Sequence, residues 1–236
     1  MTNRKQSHGA CAYCGKEMTR GGLARHLRTC PERQKAVAAA DARRGQGQTL
    51  YHLQVQDAWT GRYWLHLEMR GNATLEDLDS YLRAIWVECC GHLSAFEIGG
   101  IHYTQLIDDD MDFNNDQPMN IRVHRLFHPG LEIPYEYDFG TTTELLIKVV
   151  DQRQGKPITE HAIVLMARNE FEPPPCAECG QPADFVCAEC VWEDEDGAMF
   201  CEAHADEHEH DDMLMPIVNS PRTGMCGYDG PAEPPY

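Results

Sequence analysis

Residues 51–86, YHLQVQDAWTGRYWLHLEMRGNATLEDLDSYLRAIW, decide the fold. Leu53 and Val55 alternate with polar neighbours, as do Tyr63, Leu65, Leu67 and Met69, which is the two-residue period of strands that bury one face. The TGR at 60–62 supplies a turn between the runs and makes them a hairpin. The period then changes. Thr74 with Asp77 three residues on is a capping-box arrangement, and Leu75, Leu78, Leu82, Ile85 and Cys89 line one face of the helix that it opens. That apolar face is expected to cover the hairpin.

Downstream, strands are expected at HLSAFEIGG (92–100), IHYTQLI (101–107), LEIPYEYDF (131–139), ELLIKVV (144–150) and HAIVLMA (161–167). In the third of these Leu131, Ile133, Tyr135, Tyr137 and Phe139 alternate. The expected class is α+β, a central, largely antiparallel sheet with a packed helix, flanked by two small modules whose cysteine and histidine spacings, given below, read as zinc-binding.

Charge draws the flanks. Residues 1–47 carry ten Lys or Arg against three acids, and 170–236 carry one Arg against seventeen acids, within a net charge of -18 for 236 residues. With compositional breaks at ARRGQGQ and EFEPPP, this gives a basic module at 1–47, a central domain at 48–169 and an acidic module at 170–236. No run approaches the roughly 18–20 apolar residues of a membrane span, and no apolar stretch follows the first basic residues, so neither a span nor a secretory signal is expected. The expected compartment is cytoplasmic and reducing, where eleven cysteines in clusters read as metal ligands rather than disulfides.

In the basic module Cys11 and Cys14 flank a two-residue knuckle, and His26 and Cys30, at i and i+4, share one helix face. Thr19 caps that helix, Leu23 and Leu27 lie beneath it, and Arg20, Arg25 and Arg28 face outward as candidate phosphate contacts. The set resembles a classical zinc finger of the two-cysteine, histidine, cysteine kind. In the acidic module Cys176, Cys179, Cys187, Cys190, Cys201, His204, His208 and His210 suit two closed tetrahedral zinc sites, with Cys226 a possible substitute for one of the last two histidines. This pattern resembles a B-box zinc finger. By that resemblance Cys176, Cys179, Cys201 and His204 share one ion, and Cys187, Cys190, His208 and His210 the other. Three zinc ions are expected in all.

The central domain resembles the plasmid pRiA4b ORF-3-like family, some of whose members are labelled insertion-element passenger proteins with a resolvase-type name. The resemblance rests on TLEDLDSYLRAIW, HLSAFEIGGIHY and PYEYDFG before the ELLIKVV strand. It implies fold and a mobile-element context rather than a reaction. Members read Asp, Trp and His where this chain has Thr141, Thr143 and Leu145. A serine recombinase needs a nucleophilic Ser ringed by arginines, and the nine basic residues of 48–169 are scattered.

Other groups read as structural. Asp108, Asp109, Asp110, Asp112 and Asp116 form an acidic loop in which Phe113 and Met119 replace the Gly and Glu of a calcium loop. Cys89 and Cys90 read as core packing, and His92 and His102 have no partner at metal-ligand spacing. Three function classes follow: a zinc-dependent accessory or regulatory protein that binds nucleic acid through the finger, a protein-interaction adaptor without nucleic acid, and an enzyme of the mobile-element type. The acidic module suits a protein partner.

Overall fold

The computed structural model describes residues 7–105, 116–194 and 196–236. Of the acidic loop, residues 108–112 lie outside them. The chain forms two compact units, one from the described residues of Met1–Tyr81 and Leu93–Glu170, the other from Leu82–His92 and Phe171–Tyr236.

The first unit begins with strands β1 (His8–Cys11) and β2 (Glu17–Thr19) and helices α1 (Arg20–Thr29) and α2 (Pro31–Asp41). The expected hairpin follows as β3 (Gln48–Asp57) and β4 (Trp64–Arg70). Its turn is held by Asp57, whose carboxylate accepts from the backbone N–H of Thr60, Gly61 and Tyr63. Helix α3 (Leu75–Leu82) opens on the reciprocal Thr74–Asp77 cap. Then come β5 (Ser94–Ile98), β6 (Ile101–Thr104), β7 (Gln117–Pro118), β8 (Glu132–Tyr137), β9 (Thr143–Gly155) and β10 (Ile163–Asn169). All ten strands join one sheet in the order β2-β1-β10-β4-β3-β9-β8-β5-β6-β7, antiparallel except for β6 and β7. The class is α+β, as expected. Phe139 departs from its strand pattern: the strand ends at Tyr137, Asp138 takes φ 65, and the Phe139 ring is exposed.

One face of the sheet is buried, and the other is covered over β10, β4, β3 and part of β9 but open to solvent at Glu132, Pro134 and Glu136 of β8. Register places Val55, Leu65, Ile133 and Ile147 side by side on one face, all buried. Over this face Asp79 of α3 accepts from Tyr135, Ser94 and Gln105. The opposite face carries His52, His66 and Glu68, polar positions that alternation assigns to solvent, yet each is buried. The N-terminal segment covers them. The backbone carbonyl of Arg20 lies 3.1 Å from His66 Nε2, and Glu68 is gripped by Arg33 of α2 at 2.6 Å and by Arg153 of β9 at 2.7 and 2.9 Å.

Charge therefore changes at residue 47 while the sheet runs across it. Strand β1 pairs with β10, Gly9 opposite Asn169, and Leu23, Leu27, Cys11 and Cys30 pack with Trp64, Met166 and Ala167 in one apolar cluster. At Gly9 a β-carbon would run into the Arg168 carbonyl and sit 2.6 Å from the Trp64 ring, so only glycine admits this approach. Irregularities in β9 and β10 serve the same contact, for the carbonyl of Val150 accepts from Arg28 and that of Met166 from Ala12 N–H.

The second unit holds the helical turn Arg83–Val87, strands β11 (Phe185–Cys187), β12 (Met199–Phe200) and β13 (Leu214–Pro216) in a small antiparallel sheet, and helix α4 (Glu202–Ala205). Among the described residues no helix is long and apolar enough to cross a membrane.

Candidate metal centres

A tetrahedral zinc with bonds near 2.3 Å to sulfur and 2.0–2.1 Å to nitrogen has ligand edges of about 3.8 Å between sulfurs and about 3.5 Å between sulfur and nitrogen. Among the described residues, four Cys/His clusters meet the condition that all donor atoms lie within 4.8 Å of one another. Each can hold a metal ion.

The first cluster joins Cys11, Cys14, His26 and Cys30. Cys11 ends β1, and the chain turns back as Gly15 N–H donates to the Cys11 carbonyl at 2.8 Å, with Gly15 at φ 70. The Cys11 and Cys30 sulfurs are 3.9 Å apart, and Cys14 Sγ is 3.2 Å from His26 Nε2. Thr19 caps α1 through Gly22 N–H, as its position suggested. One detail differs from the sequence reading. Cys30 leaves the helix with ψ 116, because the following Pro31 disfavours helical backbone in the residue before it, and it forms the joint between α1 and α2. Burial pushes the Cys11 thiol up to about 11. Burial acts the same way at Cys30, but backbone N–H groups of Arg33 and Glu32, at the start of α2, help bring it below the ordinary thiol value.

The second cluster joins Cys176, Cys179, Cys201 and His204. CAECG repeats the CAYCG knuckle, with Gly180 at φ 71 donating to the Cys176 carbonyl. Cys201 precedes α4, which carries His204, and the His204 Nδ1 lies 3.5 and 3.2 Å from the sulfurs of Cys176 and Cys201. Burial opposes ionisation of Cys176, yet backbone N–H groups of Cys201, Cys179 and Glu178 lower its thiol to about 6, which favours the thiolate a metal requires.

The third cluster joins Cys187, Cys190, His208 and His210. Two histidines one residue apart reach one point because they present different nitrogens. His208 Nε2 and His210 Nδ1 lie 3.5 and 3.4 Å from Cys190 Sγ, and the His208 ring packs on Phe200 at 4.2 Å between centroids. The alternation of the two pairs along the chain is the interleaving that the B-box resemblance implies. Cys226 stands apart from this cluster. It meets Cys89, Cys90 and His92 in a fourth, which the sequence reading missed by treating the first two as core packing and His92 as isolated.

The arginines of the finger helix are placed less uniformly than their periodicity suggested. Arg25 is exposed, Arg28 pairs with Asp151 at 3.2 Å, and Arg20 is half-buried with its guanidinium pKa lowered by burial against the opposing pull of Asp57. Beside α2 a cleft of about 410 Å³ is lined by Arg28, Arg33, His52, Glu68, Asp151 and Arg153 among others, and the charged groups at its floor bond to one another. Of the positions where the family resemblance leads to Asp, Trp and His, Thr141 is half-buried and Thr143 and Leu145 are buried.

The plasmid pRiA4b ORF-3-like protein family model matches residues 50–217. Among solved structures the chain is similar to a protein of unknown function, MM3350 from Methanosarcina mazei Go1, at 19% identity over 51% of this chain and 68% of that one, with a TM-score of 0.44. No curated protein matches. The family match takes in the sheet from Leu50 of β3 to β10 and the second and third clusters, and leaves out β1, β2, the first cluster and Cys226. By that match, the chain belongs to the plasmid pRiA4b ORF-3-like family.

Proposed function

We propose that this chain is a zinc-dependent protein-interaction adaptor, with zinc in the three clusters read from the sequence, whose acidic C-terminal segment binds a Lys- or Arg-rich protein partner. The donor sets carry the metal assignment, since thiolate and imidazole in a closed tetrahedron select zinc and leave no open position for hydrolysis. The observation that carries the adaptor is the surface around the third cluster. Trp192 is 68% exposed, Met213 is also exposed, and Glu189, Glu193, Asp194, Asp211 and Asp212 stand exposed within three residues of one or the other. An exposed indole among carboxylates suits a cation, which gains both the ring face and the charges.

Nucleic-acid binding is the second reading. The exposed Arg25 and the basic balance of residues 1–47 favour it, but Arg28 and Arg33 are engaged by Asp151 and Glu68 of the same unit. Fluorescence anisotropy of the zinc-loaded full chain, titrated against a labelled arginine-rich peptide and against a labelled DNA duplex, separates the two. The adaptor reading expects peptide binding that weakens with salt and falls at least about tenfold in Trp192→Ala, the loss of one well-placed cation–π and contact pair. Duplex binding that is lost in Arg25→Ala, without peptide binding, would replace it.

A further inference from the structure

We propose that Cys89, Cys90, His92 and Cys226 form a fourth zinc site, which clasps the C-terminal segment onto residues 82–92. Cys226 Sγ lies 3.5 Å from Cys90 Sγ and 3.3 Å from His92 Nε2, Cys90 Sγ lies 3.4 Å from the same nitrogen, and Cys89 Sγ falls with them inside 4.8 Å. These are tetrahedral edges for sulfur and nitrogen about one ion. A disulfide does not account for them, because a Cys90–Cys226 bond would bring the two sulfurs to about 2.0 Å and give His92 no role between them.

The local backbone is what makes two adjacent cysteines converge. The helical turn ends at Val87, Glu88 is extended with ψ 112, and the chain bends at Cys89 and Cys90 before Gly91 at φ 74. Successive side chains diverge on a helix or a strand, but a bend can bring both round to one point. On the other side Cys226 sits at φ 50 with Gly227 at φ 68, a tight turn that presents its sulfur. The two segments meet elsewhere as well. Ser220 Oγ donates to the Trp86 carbonyl at 2.6 Å, and the buried Arg222 guanidinium donates to Cys89 Sγ at 3.5 Å. Charge supports the assignment. Three thiolates on a divalent ion leave the site at -1, and the buried guanidinium against one of them is the compensating cation that a low-dielectric setting requires.

The inference stands apart from the adaptor reading and from the other three clusters. Zinc is measured by mass spectrometry in full-length protein purified under reducing conditions without added metal. The expected counts are four per chain in the native sequence, three in Cys226→Ser and in Cys90→Ser, and four in Cys226→His, because imidazole can replace the thiolate and histidine tolerates positive φ. Cobalt loading of Cys226→His should convert one three-sulfur spectrum into a two-sulfur one, which decides the matter even if the serine variants fail to fold. A count that falls by one in Cys14→Ser and Cys187→Ser but is unchanged in Cys226→Ser and Cys90→Ser overturns the fourth site alone, as does an unshifted cobalt spectrum in Cys226→His.

Discussion

Leu27→Ala should lower the unfolding temperature of the whole first unit, although the residue lies beside the first Cys/His cluster in a segment that local sequence reads as a free-standing finger. Leu27 is fully buried, and its neighbours in the apolar cluster include Trp64, Met166 and Ala167 of β4 and β10 as well as the finger's own cysteines. Removing its three distal carbons costs the transfer of those atoms and leaves a cavity that β1, fixed to β10, cannot collapse to fill. Leu-to-Ala changes at such sites cost about 3 kcal/mol, within a usual range of about 2–5. For a unit of this size that corresponds to roughly 6–12 °C in Tm. Circular dichroism reports the sheet, and a chromophoric chelator reports zinc release during the same thermal scan. If the finger and sheet are one cooperative body, both signals move down together by that amount. Zinc release at lower temperature with the sheet transition unmoved would refute the shared core and restore an independent finger.

Acid should destabilise the first unit through the His52–His66 pair, whose ring nitrogens are 2.9 Å apart. Burial, then the positive charges of His66, Arg33 and Arg28, pushes His52 down to about 2, and burial brings His66 down to about 4. Both stay neutral when folded but take up protons near pH 6.5 when unfolded, so stability is full above about pH 6.5 and falls as pH drops towards 4, by up to about 1.4 kcal/mol per pH unit for each histidine. Denaturant titrations at several pH values should show this slope, and His52→Gln should flatten it; an equal slope in the variant would sink the account. Cys187→Ser should lose one zinc and the protection of residues 176–216 while the first unit keeps its thermal transition. Limited proteolysis in EFEPPP should then release a fragment that retains residues 7–47, and cleavage near residue 47 instead would contradict the continuous sheet.

The hairpin, the capped helix and the alternating strands are legible because their signals are local: a period, a turn, a cap. Three of the four clusters are legible for the same reason, since their ligands recur at spacings of one to three residues around longer gaps. What was not legible depends on distant segments. Alternation assigns His52, His66 and Glu68 to solvent because a sequence does not reveal that a second layer, α1 and α2, will cover that face. Charge separates residues 1–47 from the rest because composition changes there, whereas the β1–β10 register follows from a fit between Gly9 and Trp64 that no short window contains. The fourth cluster escaped because extending the helical stripe carries Cys89 into the core, whereas the helical turn stops at Val87, and because its remaining member, Cys226, lies 134 residues beyond His92.

The β1–β10 pairing also sets a timetable. During synthesis the first cluster has all four of its Cys and His residues once residue 30 has emerged, but the partner of β1 ends at Asn169. At about 5–20 residues per second the wait is roughly 7–28 s. Throughout it β1 has no β10 beside it and Met166 and Ala167 are not yet in place over Leu23 and Leu27, so early metal capture is what can hold the knuckle and its helix together until the strand arrives. On the proposed zinc assignment, a cell short of zinc would harm this protein most while it is being made, with an open strand edge free to pair with another nascent chain, and least after the sheet has closed.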